Sequence, residues 1–275
     1  MRPCRARRSL GLALALATSA STARAASFEL TAQDRQVDVA ITGTTLQCFP
    51  PPTGCTPVGS PTHYADSLGA PDFSAFSATA SVPSINGYSA SQTSSLSPGS
   101  LQAHGSGLHT GSGGFSAPPN IYTTSDGSSD SHFEASFDVA TPTSIHLTGK
   151  VSANGGLSAN SNAQIRLRTA GGTTIAEVVA STDPNCMDNS CAVVGPIPLD
   201  YTSVLAPGSY VLEASTSGSA SPFFFANNFI TLASTGEYHV ELANTAVPAL
   251  GPFALGALAL SLALAASPLL ARSLR

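Results

Sequence analysis

The middle of this 275-residue sequence has few basic side chains. Between residues 26 and 248 there are 16 Asp and Glu but only four basic residues, so this stretch carries a net charge of 4 − 16 = −12. A surface of that sign repels phosphate backbones and anionic lipid headgroups. The composition therefore argues against nucleic-acid binding and against adsorption to an anionic membrane. The four basic residues are Arg35, Lys150, Arg166 and Arg168.

Motifs that would identify an enzyme are missing. The Gly/Ser-rich stretch of residues 104–115 lacks the lysine of a phosphate-binding loop and the Gly-x-Ser-x-Gly pattern of a nucleophile elbow. We therefore interpret residues 104–115 as a mobile loop or linker. No two of the 16 carboxylates stand out as the pair of a glycoside hydrolase. The sequence favours a protein that is not an enzyme, with a secreted hydrolase of unrecognised site as the alternative.

Metal-binding motifs are missing as well, since no His-Glu-x-x-His motif or closely spaced ligand set is present. His104 and His109 share the predicted loop, where transient metal binding is the alternative to ordinary exposed side chains. Two groups of oxygen-bearing residues could hold calcium, although neither follows the EF-hand pattern. We expect no cofactor and keep calcium as the alternative. The two groups are Asp126, Asp130 and Glu134, and Asp183, Asn185 and Asp188.

Helical periodicity is absent from residues 26–244, whereas apolar residues alternate with polar ones at several places. Phe28 and Leu30, and then Val37, Val39 and Ile41, are spaced by two, which predicts one or two edge strands. Apolar residues also alternate over 133–139 and over 145–151, on either side of the Thr-Pro-Thr turn at 141–143. We interpret residues 132–151 as two antiparallel strands that pair with each other, apolar inside and polar outside.

Further strands follow with turns at intervals of about 8–12 residues, as in sandwiches and barrels. Ile165 and Leu167 alternate with Arg166 and Arg168, and a turn at 170–172 leads to a returning strand at 175–179. Pro196 and Pro198 restrict residues 193–199 to a sheet edge. The sequence therefore predicts an all-β fold, an antiparallel and jelly-roll-like β-sandwich over residues 26–244.

Bulky apolar residues on the alternating positions form the predicted core. We expect burial of each to contribute roughly 1.5–3 kcal/mol. Residues 223–225, all phenylalanine, are interpreted as an end of this core, with an exposed patch for a partner or a sugar ring as the alternative. The predicted core residues are Phe133, Phe137, Leu147, Leu167, Tyr210 and Leu212.

Cysteines suggest an oxidising compartment. Cys4 lies at the extreme N-terminus, and four others remain, an even number that allows three pairings. We favour Cys48–Cys55 and Cys186–Cys191 because each closes a short, turn-rich loop, and each should contribute roughly 2–3 kcal/mol. A four-cysteine zinc site is the alternative, although it usually has tighter Cys-x-x-Cys spacing.

The first 25 residues have the three parts of a secretory signal peptide. Four arginines precede the apolar run at residues 10–17, and Ala23-Arg24-Ala25 forms an A-x-A site. We expect cleavage after Ala25, so that the mature chain begins at Ala26. The Arg7-Arg8 pair leaves a twin-arginine signal as an alternative export route.

The last 31 residues, 245–275, predict a membrane anchor. No charged side chain occurs between Glu241 and Arg272. A helix over residues 253–271 would be about 28 Å long, close to the ~30 Å hydrocarbon core of a bilayer. Pro252 suits the first helical position, so the predicted span is about 252–271. Arg272 and Arg275 favour a cytoplasmic C-terminus, and a buried core helix is the alternative.

This tail resembles the sorting signals of PEP-CTERM-type bacterial surface proteins. The resemblance is carried by Val247-Pro248, the apolar run 253–271, and the terminal Arg272 and Arg275, with Val-Pro-Ala-Leu-Gly-Pro in place of the usual Pro-Glu-Pro. It implies sorting by an exosortase, an integral membrane transpeptidase, with cleavage near Pro248. It also implies a surface or exopolysaccharide-matrix protein of a Gram-negative bacterium.

The sequence as a whole predicts an exported protein, held at the inner membrane by its C-terminal helix with residues 26–244 on the periplasmic or extracellular side. Processing of the tail would release it to the cell surface or the matrix. The expected role is structural or matrix-associated. A carbohydrate-binding or adhesive module is the alternative.

Overall fold

The computed structural model describes residues 28–48, 55–82, 88–112, 114–116, 121–155, 159–182, 193–220 and 231–245. None of these residues is helical, so the described part of the chain holds no helix that could cross a membrane. Residues 26–248 form one compact unit. The described residues form fourteen strands: β1 (Glu29–Cys48), β2 (Cys55–Pro57), β3 (Thr62–Gly69), β4 (Phe76–Val82), β5 (Tyr88–Ser97), β6 (Ser100–Ser112), β7 (Gly114–Ser116), β8 (Ile121–Val139), β9 (Thr143–Asn154), β10 (Ala159–Thr169), β11 (Thr174–Ser181), β12 (Val193–Leu205), β13 (Gly208–Ala220) and β14 (Thr231–Asn244).

The strands form two sheets, which we call sheet A and sheet B. Sheet A has eight strands in the order β11-β10-β13-β8-β1-β2, with β3 also paired to β1 and β7 to β8. Sheet B has six strands in the order β12-β9-β14-β6-β5-β4. Neighbouring strands are antiparallel in both sheets. The predicted all-β antiparallel sandwich is therefore confirmed.

Two-residue alternation places the apolar side chains between the sheets. On β10, Ala163, Ile165 and Leu167 are fully buried, while Arg166 on the opposite face is not. The proline-containing β12 is an edge strand of sheet B, as predicted. The edge position predicted for Val37, Val39 and Ile41 is wrong, because β1 pairs with β8 on one side and with β3 on the other. All six predicted core residues are buried: Phe133, Phe137, Leu147, Leu167 and Leu212 are 0% exposed, and Tyr210 is 7% exposed.

Buried apolar residues form two clusters rather than one. The larger cluster lies around β8–β10, β13 and β14. The smaller lies around Val37, Val39 and Ile41 of β1 together with β4 and β5. In sheet A, one cross-strand row of inward-facing residues connects the two clusters. It consists of Val37, Ser131, Thr216 and Ala163. The interior therefore has a polar zone of small residues between its two apolar clusters.

The interpretation of residues 104–115 as a loop or linker is wrong. Residues 100–112 form β6, which lies inside sheet B between β5 and β14. Close packing explains its composition, because a Cβ on Gly105 would lie 2.4 Å from the Tyr238 ring and from Ser131 Oγ. A Cβ on Gly107 would lie 3.0 Å from Ser129 Oγ. The glycines therefore make room for the Tyr238 ring of the neighbouring strand β14 and for β8 of the opposite sheet instead of providing mobility.

The pairing predicted for residues 132–151 is also wrong, although both strands exist. β8 lies in sheet A beside β1 and β13, whereas β9 lies in sheet B beside β12 and β14. The turn at 141–143 therefore carries the chain from one sheet to the other. Alternation reports which face of a strand is buried, and it contains no information about which strand is the neighbour.

Candidate functional site

Several predicted site residues lie outside the described residues, so the structure does not bear on them. This holds for the signal peptide and the tail, for residues 223–225, and for the segment of the second calcium group. The predictions concerned are the cleavage-site residues Ala23 and Ala25, the tail residues Val247, Pro248, Arg272 and Arg275, the disulfide Cys186–Cys191, and the group Asp183, Asn185 and Asp188.

Cys48 and Cys55 lie on backbone positions that face each other. Residues 46–48 of β1 pair with residues 55–57 of β2, and Cys48 is the cross-strand partner of Cys55. Directly opposite residues in an antiparallel pair have Cα atoms about 4.5–5.5 Å apart, within the range for a disulfide. The backbone register is therefore compatible with the predicted bond, which stays a prediction.

The first calcium group does not converge. Asp126, Asp130 and Glu134 point outward from β8 at successive four-residue intervals, so neighbouring members are about 13 Å apart along the strand. Among the described residues, no three His, Cys, Asp or Glu side chains could hold one metal ion. Asp130 instead has Asp38 of β1 as its cross-strand partner.

His104 and His109 lie on opposite faces of β6 and do not act together. His104 faces outward, where its Nε2 is 3.0 Å from Glu237 Oε1 and its ring centroid is 6.0 Å from that of His239. His109 faces inward and is 0% exposed. A strand places residues five apart on opposite faces, which a loop interpretation could not anticipate.

His109 contacts two serines deep inside the sandwich. Its Nε2 lies 2.8 Å from Ser129 Oγ and 2.9 Å from the Ser129 carbonyl oxygen. Its Nδ1 lies 3.1 Å from Ser234 Oγ and 3.2 Å from the Ser234 carbonyl oxygen. Burial lowers the pKa of His109 below its usual range, so the ring is neutral. A Ser–His pair is the arrangement of a nucleophile and base, but at 0% exposure no substrate could reach it.

A second buried polar residue, Arg35, also lies inside the sandwich. It is 1% exposed and follows the inward register of Val37 and Val39 on β1. Its guanidinium donates to Gln33 Oε1 at 2.8 Å, to Ser94 Oγ at 3.2 Å and to the carbonyl oxygen of Asp72. Its Cζ lies 5.7 Å from the Phe76 ring centroid. These bonds join β1, β5 and the segment before β4, so the role of Arg35 is architectural.

The outer face of sheet A holds a polar groove of about 390 Å³. A cross-strand row runs through it from Asp130 on β8 to Ser217 on β13, Asn162 on β10 and Ser181 on β11. Four strands at about 4.8 Å spacing give this row a length of about 14 Å. We call this feature the sheet-A groove; it is lined by Asp130, Asn160, Ser161, Asn162, Ser181, Thr182, Ser217, Gly218 and Ser219.

Two acceptors in the sheet-A groove are poorly solvated. Asn162 Oδ1 is buried and has no hydrogen-bond partner among the described residues. Asp130 is half-buried, and burial together with the nearby Asp38 carboxylate raises its pKa to about 6. Asn160 differs from both, since its Oδ1 accepts bonds from Ser219 N at 3.0 Å and Ser219 Oγ at 2.9 Å.

The arginines of β10 point away from the core, as predicted, but they are paired. Arg166 Nε donates to Glu177 Oε1 at 2.8 Å, and Arg168 Nε donates to Glu213 Oε1 at 2.7 Å. Arg168 also lies 3.7 Å from Glu134. The two cations are therefore neutralised by three carboxylates on β11, β13 and β8, and they do not form a basic binding patch.

Comparison with known proteins adds little. No protein-family model matches the chain, and no curated protein matches it. Among solved structures, the tailspike protein 4 enzymatically active domain of bacteriophage CBA120 is 12% identical over 57% of this chain and 19% of that chain, with a TM-score of 0.20. The VP2 subviral particle of infectious bursal disease virus is 11% identical over 81% of this chain and 62% of that chain, with a TM-score of 0.22.

The structure of infectious bursal disease virus, Gx strain, is 10% identical over 83% of this chain and 59% of that chain, with a TM-score of 0.24. This chain therefore spans less than two thirds of each of these proteins. With so low a structural likeness, none of them carries an argument about what this chain does.

Proposed function

We propose that the chain is an exported, surface-anchored protein without catalytic activity, which serves as a structural component of an extracellular matrix. The observation that carries the proposal is the pairing of a three-part signal at the N-terminus with a charge-free stretch from residue 242 to 271 followed by arginines. The resemblance to PEP-CTERM-type tails supports sorting by an exosortase-type transpeptidase.

The described body is compatible with that role. Its two sheets are held together by apolar clusters, and their outer faces carry short hydroxyl and amide side chains with paired charges. The strands after β7 alternate repeatedly between sheets A and B, which supports a jelly-roll-like arrangement. The inaccessible Ser129–His109 contact gives no support to the hydrolase alternative.

A tail-fusion experiment tests the anchor. Residues 245–275 are fused to a soluble exported reporter, and the reporter is followed by cell fractionation. We expect retention in the membrane fraction, and loss of retention when Leu258 and Leu264 are both replaced by Arg, because charge at the centre of a span is costly. A freely soluble reporter would refute the anchor.

Mass spectrometry of the mature C-terminus tests the processing step. In a host that has an exosortase, we expect a new C-terminus near Pro248. In a host without one, the chain should keep Arg275 and stay in the membrane. An intact tail in both hosts would remove the sorting part of the proposal and leave the anchor standing.

Carbohydrate binding is the second candidate function. The observation that favours it is the sheet-A groove, which is concave, polar and on the outer face of the sandwich.

A further inference from the structure

We infer that the sheet-A groove is a binding site for neutral sugar units, with Asp130 as the principal acceptor of sugar hydroxyl groups. The inference deepens the proposed extracellular role, because it assigns a contact with polysaccharide to one place on the body. It does not depend on how the chain is anchored.

The size and lining of the groove indicate a polar ligand. Its volume of about 390 Å³ lies within the range of small-molecule sites. Most such sites are largely apolar, whereas this one is formed by carboxylate, amide and hydroxyl side chains. A ligand rich in hydroxyl groups can satisfy this lining, because each hydroxyl both donates and accepts.

The arrangement of hydrogen-bonding groups also fits hydroxyls. Asn162 lines the groove, but its Oδ1 is buried and out of reach of a ligand, so it is not counted among the acceptors. Asp130 places a half-buried carboxylate in the same cross-strand row, with Ser217 between the two. A carboxylate can accept two hydroxyl groups at once, and charge-assisted bonds are the stronger ones.

The width of the site comes from the small residues on β13. Ser217 and Ser219 have short side chains, and Gly218 between them has none. Gly218 faces the core, where a Cβ would lie 2.4 Å from His109 Cε1, so on the outer face this part of β13 carries only the two serines. The row of about 14 Å from β8 to β11 therefore stays open along its length, as an extended chain of sugars requires.

Charge selects neutral sugars over acidic ones. Residues 26–248 carry a net charge of −12, and Asp38 is the cross-strand neighbour of Asp130 at one end of the groove. A uronate or sulfated polymer would be repelled there. The carboxylates of Asp130 and Asp38 could also attract a calcium ion. Calcium takes six to eight oxygens, however, and the next carboxylates along β8, those of Asp126 and Glu134, are each about 13 Å from Asp130.

The test is affinity electrophoresis of the full chain, purified in mild detergent, through gels that contain dextran, galactomannan or xylan. Alginate serves as the anionic control polymer. We expect retardation by at least one neutral polymer and none by alginate. Asp130→Ala should weaken the retention at least tenfold. Asp126→Ala is the matched control, since Asp126 is exposed on the same strand and does not line the groove.

The outcomes separate this inference from the proposed function. Retention unchanged in Asp130→Ala, or no retention by any neutral polymer, would overturn the groove assignment and leave the surface role intact. A melting-temperature rise with calcium chloride that Asp130→Ala abolishes, without polymer retention, would overturn it in favour of a cation site. Failure of the tail fusion would defeat the anchor and leave the groove result standing.

Discussion

Replacing Gly105 by alanine tests the close packing at β6, where Gly105 meets the Tyr238 ring of the neighbouring strand β14 and Ser131 of sheet A. The new Cβ would lie 2.4 Å from Ser131 Oγ and from Tyr238 Cε1 and Cζ. Carbon atoms at best contact are about 3.5–4.0 Å apart, so something must move by roughly 1 Å or more. The Ser131 hydroxyl can rotate, but the Tyr238 ring is buried and has little space to do so.

The expected cost follows from two terms. Adding a methyl group to a well-packed interior typically costs about 1–3 kcal/mol. Moving the ring also strains the bonds of Tyr238 Oη with Gln92 Nε2 at 2.9 Å and Ser131 Oγ at 3.2 Å, each worth about 1 kcal/mol. We therefore expect Gly105→Ala to lower the free energy of unfolding by about 3 kcal/mol and the melting temperature by roughly 6–12 °C.

Urea titration followed by far-ultraviolet circular dichroism is a suitable assay. Gly99→Ala is the control on the same β5–β6 hairpin, because a Cβ there meets nothing within 4 Å, and we expect a change within about 0.5 kcal/mol. In a mobile loop, Gly105→Ala would instead stabilise by about 0.4–1 kcal/mol. A variant as stable as the natural protein would therefore refute the packing argument.

A double variant checks the cause of the loss. Leucine at position 238 has no atoms at the Cε1 and Cζ positions, so Gly105→Ala should cost less in a Tyr238→Leu background. The coupling between the two changes should be about 0.5–3 kcal/mol. Independent, additive losses would mean that Tyr238 is not the residue that the new methyl group meets.

Three further predictions concern charge and covalent links. Burial lowers the pKa of His109 in the folded protein, so as the pH falls the unfolded chain binds a proton at this residue before the folded chain does. The free energy of unfolding should therefore decrease below about pH 6.5. The melting temperatures of the natural protein and of His109→Gln should converge under acidic conditions. Burial raises the pKa of Asp130 to about 6, so its ionised form destabilises the folded protein at neutral pH. Asp130→Asn should therefore stabilise the protein by ~1 kcal/mol at pH 7.5, allowing for partial exposure, and this gain should vanish near pH 3.8. Equal gains at both pH values would contradict the burial argument. Comparison of the mass of the exported chain before and after reduction should show two disulfides. Cys48→Ser should lower the free energy of unfolding by roughly 2–3 kcal/mol. Free thiols at Cys48 and Cys55 would contradict the redox argument.

Strands were predictable from the sequence where one face is apolar. The alternation of Phe133, Phe137 and Leu147, and of Ile165 and Leu167, was enough to place β8–β10 and their buried faces. It could not show that β8 and β9 belong to different sheets, because a strand buries the same side chains whichever neighbour it has. It also failed for β6, where polar and small inward residues give no alternation of hydrophobicity.

The candidate site was harder to predict because its members are far apart in sequence. Asp130, Asn162 and Ser217 come from three strands, and only the sheet order places them in one row. Arg35 is a different case, since counting back by two from Val37 and Val39 places it inside. A buried cation conflicts with the usual cost of burying charge, and only the structure shows the acceptors that offset it.

The polar zone between the two apolar clusters explains why so much of this sequence resembles a linker. Serine, glycine and threonine allow the two sheets to come close where His109, Ser129 and Ser234 exchange hydrogen bonds. Larger apolar residues at those places would push the sheets apart, as the contacts of a Cβ at Gly218 indicate. The same small residues on the outward positions of β13 leave the sheet-A groove open. One compositional feature, a high content of small polar residues, therefore accounts both for the packing of the interior and for the shape of the outer surface.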